Sequence, residues 1–344
     1  MARKISLKDI AEAAGVSVAL VSYVLNDKEK EARINADTAK KIKEIAKKMN
    51  YQPNQVAKSL KSGKSLAIGL IVADISNPFF GQLAKTIEEE SNRRGYTVIV
   101  GSSDEDLEKF KRLIDTLINR QIDGFIIAPV EGAEQQLKYL ENTGIPFVLI
   151  DRFFKDLETC YVVIDNFDAM YRVTENILQQ KKEAKIGYVC YENSLQHTED
   201  RLRGFIQAFK DQGREDYQEF ICKVEYNNPV KFNDSFTELI NRLPGIDTVL
   251  FSTNTLSIMG LKVLSRLNIK IPEELSVFCF DQSDSYDLFY CPISYVHQPL
   301  DQIGYEAVEI LFNKMFHNTN TIQQVVLEAD IIIKKSSSFK EFKK

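Results

Sequence analysis

Short apolar runs of strand length alternate with amphipathic stretches of helix length along most of this 344-residue chain. "LAIGLIVAD" and "PFVLID" are two such runs, and "LEKFKRLIDTLINRQ" is one of the helix-like segments between them. Runs without polar alternation predict strands that are buried on both faces. Buried strands that alternate with helices predict parallel sheets covered by helices on both sides, and the length allows two such sheets.

Several classes of site have no support in the sequence. No apolar run approaches the ~18 residues that cross a bilayer, and the N-terminus lacks the apolar stretch of a signal peptide, so we predict a cytoplasmic protein without membrane contact. The 5 cysteines and 3 histidines are scattered, with no CxxC pair, which predicts no metal site and no disulfide framework. Nucleotide-binding glycine motifs and the GxSxG nucleophile elbow are absent, so we predict no cofactor and no catalytic residues.

Charge is distributed unevenly along the chain. Residues 1–64 hold 14 Lys and Arg against 7 Asp and Glu, whereas the remaining residues hold 30 against 42. A basic head on an acidic body is typical of a nucleic-acid-binding protein with a separate second function. Charge alone fits a solvated basic face equally well, so the motifs within the head have to decide.

The basic head contains a helix-turn-helix pattern. Ser6 can cap a first helix in "SLKDIAEAAG", Gly15 permits a tight turn, and Ser17 can cap a second helix. A third helix from about Asp37 to Met49 would close one small core.

The second helix of the head has two different faces. Val21, Val24 and Leu25 recur at helical spacing and are predicted to face the core. The other face carries small, uncharged side chains and one tyrosine, so the helix can approach a groove closely. Its residues are Val18, Ala19, Ser22, Tyr23 and Asn26.

With "SLKDIAEAAGVS", "VSYVLN" and "YQPNQVAKSL", the head resembles the LacI/GalR family of bacterial transcription regulators. The resemblance implies a DNA-binding head over 1–62 with a hinge helix at about 53–61. It implies major-groove contacts by Ser17, Val18, Ala19, Ser22 and Tyr23, and hinge contacts in the minor groove by Asn54, Ala57, Lys58 and Leu60. Leu60 would act as an apolar wedge that unstacks a base step and kinks the duplex.

The head departs from the family pattern in three places. Leu20 stands where threonine is common, Tyr23 stands where arginine or histidine is common, and "NDKEKEARIN" is slightly longer than usual. Arginine pairs bidentately with guanine, which tyrosine cannot do, and Val18 and Ala19 offer only apolar contact. The DNA sequence preference therefore cannot be copied from better-known members.

The body resembles the same family through "ISNPFF", "RLRGF" and "FDQSD", which implies a periplasmic-binding-protein-like sensor. The expected fold class is α/β: a small all-α head with a hinge helix, then a two-lobed body of parallel sheets over 63–344 that binds ligand and dimerises. The two lobes are expected to be joined by three crossovers of the chain, which we place near residues 162, 293 and 324. Lobe one is expected over about 63–162 and 294–323, and lobe two over about 163–293 and 324–340.

Ligands of open parallel sheets bind beyond the carboxyl ends of the strands, so residues at strand ends are the candidate effector contacts. They are Phe79, Phe80, Asp151, Arg152, His197, Arg201, Tyr226, Asn254 and Asp281. An arginine can bind a sugar hydroxyl or a carboxylate, and a carboxylate beside an amide can hold vicinal hydroxyls. Three alternatives stay open: Arg201 in a structural ion pair, Asp281 as a helix cap, and Phe79 with Phe80 in the core or a dimer surface.

The resemblance implies a homodimeric repressor of double-stranded operator DNA, controlled by a small-molecule effector, most simply a sugar, between the lobes. The C-terminal segment has no leucine heptads, which favours a dimer over a tetramer held by a coiled coil. Two other classes stay open: a regulator whose body responds mainly to a protein partner, and an enzyme with a DNA-targeting head. The missing catalytic motifs count against the enzyme.

Overall fold

The computed structural model describes residues 5–51, 63–242, 245–317 and 321–337. The chain separates into two compact units, Met1–Ser65 and Leu66–Lys344, which we call the head and the body. Within the described ranges, none of the helices is both long enough and apolar enough to span a membrane.

The head is a three-helix unit. Its helices are α1 (Leu7–Ala14), α2 (Val18–Leu25) and α3 (Ala36–Lys48). Each helix begins at a side-chain cap: Ser6 with its partner Asp9 at α1, Ser17 at α2 and Asn35 at α3. Their apolar faces close one small core, whose fully buried members are Ile10, Val21, Val24 and Ile42.

Lobe one of the body is built on a six-stranded parallel sheet in the order β11-β5-β4-β3-β1-β2. The strands are β1 (Ala67–Val72), β2 (Thr97–Ser102), β3 (Gly124–Ile127), β4 (Phe147–Ile150), β5 (Tyr161–Ile164) and β11 (Gln324–Leu327). The helices are α4 (Pro78–Arg93), α5 (Leu107–Asn119), α6 (Glu134–Thr143) and α11 (Leu300–His317). One face packs against α4 and α11, and the other against α5 and α6.

Lobe two is built on a second six-stranded sheet in the order β12-β10-β9-β8-β6-β7. The strands are β6 (Ile186–Tyr191), β7 (Ile221–Val224), β8 (Thr248–Phe251), β9 (Ser276–Phe280), β10 (Ser294–His297) and β12 (Asp330–Ile332). The helices are α7 (Asn166–Gln180), α8 (Gln196–Asp211), α9 (Pro229–Arg242) and α10 (Asn254–Arg266). The predicted head and two parallel-sheet lobes are thus confirmed, with one difference: the edge strand β12 runs antiparallel to β10.

The chain passes between the two sheets after Ile164, after His297 and after Leu327. These positions lie two to four residues beyond the expected crossings near 162, 293 and 324. As a result β10 belongs to lobe two and β11 to lobe one, the reverse of the expected assignment. The physical reason is the hydrogen-bond ladder, because each strand completes its pairing with its own sheet before the chain leaves that sheet.

Candidate functional site

The turn that presents α2 is built from local backbone chemistry. Gly15 adopts the left-handed conformation, with φ 71°, and its N–H bonds back to Ala11 and Glu12 to close α1. Ser17 then starts α2, and its Oγ accepts a hydrogen bond from the N–H of Leu20 at 3.3 Å. The head therefore holds α2 in the position of the second helix of a helix-turn-helix.

The two faces of α2 separate as the sequence predicts. Val21 and Val24 are fully buried, and Leu25 is partly buried against the same core. Val18 is 44% exposed and Tyr23 is 48% exposed. The other members of the predicted reading set lie on the same side: Ser17 and Ala19 are exposed and Ser22 is half-buried.

Two salt bridges join the connection between α2 and α3 to α3 itself. The ammonium of Lys43 donates to the carboxylates of Asp27 and Glu29 at 2.8 and 2.9 Å. From the same helix, Lys41 donates to the carbonyl oxygen of Ala14 at 3.1 Å, which satisfies a free acceptor at the end of α1. The hinge residues predicted from the sequence lie outside the described residues; they are Asn54, Ala57, Lys58 and Leu60.

In the body, two aspartates follow strand ends with the same unusual backbone. Asp151 follows β4 and Asp281 follows β9, and both have φ 66°, in the left-handed region. Aspartate reaches this region more readily than most residues, although at some cost in strain, and strain of this kind concentrates at binding sites.

Arg152 is a buried arginine in a complete ion-pair network. Its Nε donates to Asp151 at 3.1 Å, and its Nη1 donates to both carboxylate oxygens of Glu105 at 2.9 Å. Burial opposes the charge of Arg152, but Glu105 and Asp151 overcome that effect and raise the pKa of the guanidinium. Glu105 is not among the candidates expected from the sequence, although it follows β2 closely in "SSDED" and thus lies at a strand end like the others.

Arg201 is equally buried, but its partners are neutral. Its Nε donates to Oδ1 of Asn166 at 2.7 Å and its Nη1 donates to the carbonyl oxygen of Ser252 at 2.6 Å. Its guanidinium carbon lies 3.6 Å from the centre of the Phe280 ring. Burial lowers the pKa of Arg201. The charges of Asp281 and Asp151 raise it, but they offset the effect of burial only in part. The alternative of a structural ion pair for Arg201 therefore finds no direct carboxylate partner among its described hydrogen bonds.

Asp281 accepts hydrogen bonds from two neighbouring groups. Its Oδ1 accepts from Nε2 of Gln298 at 2.6 Å, and the backbone N–H of Asn254 also donates to it. Burial raises the pKa of Asp281, since the lowering by Arg201 and by these hydrogen bonds is smaller. The amide of Asn254 donates to the carbonyl oxygen of Gln282 at 3.3 Å. Gln298, which follows β10, was not foreseen.

His197 shows that the candidate residues of the two lobes lie near each other. It is buried in α8, and burial, followed by the charges of Arg152 and Arg201, lowers its pKa well below the usual value. Arg152 belongs to lobe one and Arg201 to lobe two, so His197 lies within electrostatic reach of both. Residues at the strand ends of the two sheets therefore lie close enough to interact electrostatically.

Two further pairs of residues form hydrogen bonds between the lobes. The hydroxyl of Tyr226 donates to Asp74 at 3.4 Å, and the carboxylate of Glu131 accepts from the backbone N–H of Ser194 at 3.0 Å. The hydroxyl of Ser194 donates to the same carboxylate oxygen. Tyr226 is thus a contact between lobes in this structure.

Phe79 and Phe80 lie at the start of α4, where Asn77 caps the helix. Their rings meet edge to face, with centroids 4.9 Å apart. Both side chains are buried in the core of lobe one. This packing corresponds to the core alternative that the sequence left open for the pair.

Two family descriptions match the chain. "Bacterial regulatory proteins, lacI family" matches residues 6–54, and "Periplasmic binding proteins and sugar binding domain of LacI family" matches residues 65–335. The chain belongs to the LacI family. The family expected from the head and body motifs is thereby confirmed.

Relatives of this LacI-family chain include an HTH-type transcriptional repressor PurR of Haemophilus influenzae, 27% identical over 344 residues, covering 96% of this chain and 98% of the relative. The structure of the lac repressor dimer bound to operator and the anti-inducer ONPF is similar in fold, with a TM-score of 0.84 at 18% identity over 97% of this chain and 99% of that chain. The structure of a complex between the transcriptional regulator CelR and cellobiose is also similar in fold. It has a TM-score of 0.72 at 20% identity, over 97% of this chain and 100% of that chain. The PurR relative and the lac repressor are transcriptional repressors and not enzymes, as the missing catalytic motifs predict.

Proposed function

We propose that this LacI-family protein is a homodimeric repressor whose affinity for operator DNA is controlled by a carbohydrate bound between the lobes. The observation that carries the proposal is that Arg201 and Asp281 of lobe two lie within electrostatic reach of Asp151, which Arg152 accompanies in lobe one. Carboxylates and guanidinium groups together suit a ligand that carries many hydroxyls, because hydroxyls both donate and accept. The CelR–cellobiose complex supports a sugar, since a protein of similar fold binds one.

The head supports DNA recognition by α2. Val18, Ala19 and Tyr23 form an exposed surface on a helix whose other face closes the core. In a dimer, two such helices would enter successive major grooves of a pseudopalindromic operator. Val18 and Ala19 would supply apolar contacts, for instance to thymine methyl groups, while Tyr23 would supply one hydroxyl.

Effector control would act through the relative position of the lobes. A ligand that contacts both lobes favours the lobe arrangement in which both sets of contacts are made. If that arrangement changes the dimer, ligand and operator change each other's affinity by the same factor, typically ~5–150-fold.

The decisive experiment is Arg201→Ala in the full chain. Operator affinity, measured by fluorescence anisotropy in a fixed salt concentration, should be retained, while its change on adding effector should disappear. Arg203→Ala is the matched control, because Arg203 lies on the same helix, is exposed and pairs with Asp200 on the surface. A normal effector response in Arg201→Ala would contradict the assignment of Arg201 to the effector site. Binding of a host protein, without a response to any carbohydrate, would favour a protein-responsive regulator.

A further inference from the structure

The last turn of α2, which carries Tyr23, is capped by the connection between α2 and α3 (residues 26–35), which we call the connection. The last carbonyl groups of a helix have no partner within it. In α2, the carbonyl oxygen of Tyr23 accepts from the backbone N–H of Lys28 at 2.9 Å. The carbonyl oxygen of Val24 accepts from the N–H of Asp27 at 3.2 Å. The connection therefore helps to set the position of the turn from which the side chain of Tyr23 projects.

The backbone of the connection includes residues in the left-handed region. Asp27 has φ 52° and Arg33, near the other end, has φ 51°. Residues with a β-carbon adopt this region at some cost, although aspartate does so more readily than most. The backbone N–H of Ile34 donates to the carbonyl oxygen of Glu29 at 2.8 Å, and Ile34 packs against the core of the head. A connection with two such residues depends on contacts of this kind to keep one conformation.

Lys43 of α3 supplies the side-chain contacts that hold the connection. Its Nζ donates to Oδ1 of Asp27 at 2.8 Å and to Oε1 of Glu29 at 2.9 Å. The hydrogen bonds to Asp27 and Glu29 raise the pKa of Lys43, and the hydrogen bond from Lys43 lowers the pKa of Glu29. The side chain of Glu29 is 25% exposed and that of Asp27 is 82% exposed, so salt screens the pair with Glu29 less. Lys43 thus joins α3 to a residue that caps α2.

Lys40, one turn earlier on α3, provides a contrast to Lys43. Both side chains are exposed and both line the groove between the connection and α3. Lys40 forms no ion pair within the part of the chain that the structure describes, whereas Lys43 donates to two carboxylates. Lys40 is therefore available to a DNA phosphate, while Lys43 is committed to the connection.

We propose that Lys43 is a positioning residue for DNA recognition, which holds the connection against α3 and thereby fixes the turn of α2 from which Tyr23 meets the base pairs. Lys43 acts without touching the bases itself. Val18 lies in the first turn of α2, next to the cap Ser17, so its position does not depend on the connection. The inference rests on the proposed function, in which α2 reads the operator, and adds a residue on which that reading depends.

The test measures DNA binding by the full chain to two duplexes. One is the operator, which the wild-type protein selects from a pool of random duplexes, and the other is a scrambled version of it. Fluorescence anisotropy gives both affinities at one fixed salt concentration, since phosphate contacts contribute to both. Discrimination is the ratio of the two affinities. Lys43→Met breaks both ion pairs, and Lys40→Met is the matched control, because it removes the same charge from the same helix without breaking an ion pair.

Lys40→Met and Lys43→Met should lose affinity for the scrambled duplex by similar factors. Only Lys43→Met should also lose discrimination, by about two- to fivefold, which is the scale of an exposed ion pair. Lys43→Arg should retain discrimination, because a guanidinium group can donate to both carboxylates.

Glu29→Gln separates positioning from the effect of charge alone. Removal of a carboxylate makes the head more positive, so binding to the scrambled duplex should become stronger. Discrimination should nevertheless fall, by less than in Lys43→Met, because Asp27 still holds Lys43. An effect of charge alone would strengthen binding to both duplexes by the same factor.

Double-mutant cycles locate the effect on α2. Lys43→Met combined with Tyr23→Ala should lose less discrimination than the two single changes predict together, because no tyrosine remains to be positioned. Combined with Val18→Ala, the losses of Lys43→Met should add. A general loosening of the head would instead couple Lys43 to both residues alike.

Three results overturn the inference. The first is discrimination in Lys43→Met equal to that in Lys40→Met, and the second is a Tyr23→Ala protein that discriminates normally. The third is simple addition of the losses from Lys43→Met and Tyr23→Ala. If thermal unfolding shows that Lys43→Met does not fold, unchanged discrimination in Glu29→Gln overturns the inference instead. If the wild-type protein prefers no duplex from the random pool, the proposed function itself fails, whatever Lys43 does.

Discussion

Two buried arginines, one from each lobe, hold their charges in different ways. Arg152 donates to the carboxylates of Glu105 and Asp151, whereas Arg201 donates to an amide oxygen and a backbone carbonyl and lies against the ring of Phe280. The pKa of Arg152 is raised by its carboxylates despite burial, and the pKa of Arg201 is lowered by burial. The first arginine is committed to the structure of lobe one, while the second retains positive charge for a ligand.

The largest expected effect is a difference in the free energy of unfolding between variants of the two arginines. Arg152→Met leaves the carboxylates of Asp151 and Glu105 without their cation, which typically costs about 3–5 kcal/mol. Arg201→Met leaves two neutral acceptors unpaired and removes a positive charge that acts on Asp281 without a direct hydrogen bond, so it should cost about 1–3 kcal/mol. Urea unfolding of both variants measures the difference, and equal losses would show that the two arginines are equivalent.

The same distinction between committed and available side chains applies to the two faces of α2. Val24→Ala removes buried methyl groups and should destabilise the head by roughly 2 kcal/mol. Val18→Ala should leave the head within about 0.5 kcal/mol of the wild type, because surface substitutions rarely exceed that value. Thermal unfolding measures the first effect, and operator titration should show the loss of affinity in Val18→Ala. A stable, normally binding Val18→Ala protein would remove Val18 from the reading surface.

The smallest expected effect concerns the carboxylate of Asp281, whose charge acts on Arg201. The pKa of Asp281 is raised in the folded chain, so the folded state binds more protons than the unfolded state just above the ordinary pKa. This group therefore makes the protein less stable as pH rises from below its ordinary pKa through its raised folded pKa. Asp281→Asn should remove that penalty and stabilise the free protein at neutral pH by about 0.5–2 kcal/mol, while it weakens effector binding.

Urea unfolding at several pH values checks this expectation. The stability gain of Asp281→Asn should be largest at neutral pH and should shrink as pH falls through the raised pKa. A loss of stability at neutral pH would mean that the attraction between Asp281 and Arg201 exceeds the cost of burying the carboxylate. In that case Arg201 would be a committed group like Arg152.

The elements of the fold were accessible from the sequence because their signals are local. Apolar runs between amphipathic helices predict covered parallel sheets, and Ser6, Ser17 and Asn35 cap the three helices of the head. The crossings between lobes were displaced by two to four residues, because the end of a strand depends on the neighbour with which it pairs. The antiparallel direction of β12 is likewise a property of the sheet.

The sequence by itself placed Arg152 and Arg201 at strand ends and helix starts, where ligand contacts concentrate, and it left a structural ion pair open for Arg201 only. Their difference comes from distant residues: Glu105 lies 47 positions from Arg152, and Asn166 and Ser252 lie 35 and 51 positions from Arg201. Likewise, Nε2 of Gln196 and Nδ1 of His197 are buried without a hydrogen-bond partner among the described residues, and this state depends on the side chains packed around them. Charge, burial and hydrogen-bond partnership are properties of spatial neighbours, so only the tertiary structure decides which buried cation is neutralised and which remains available.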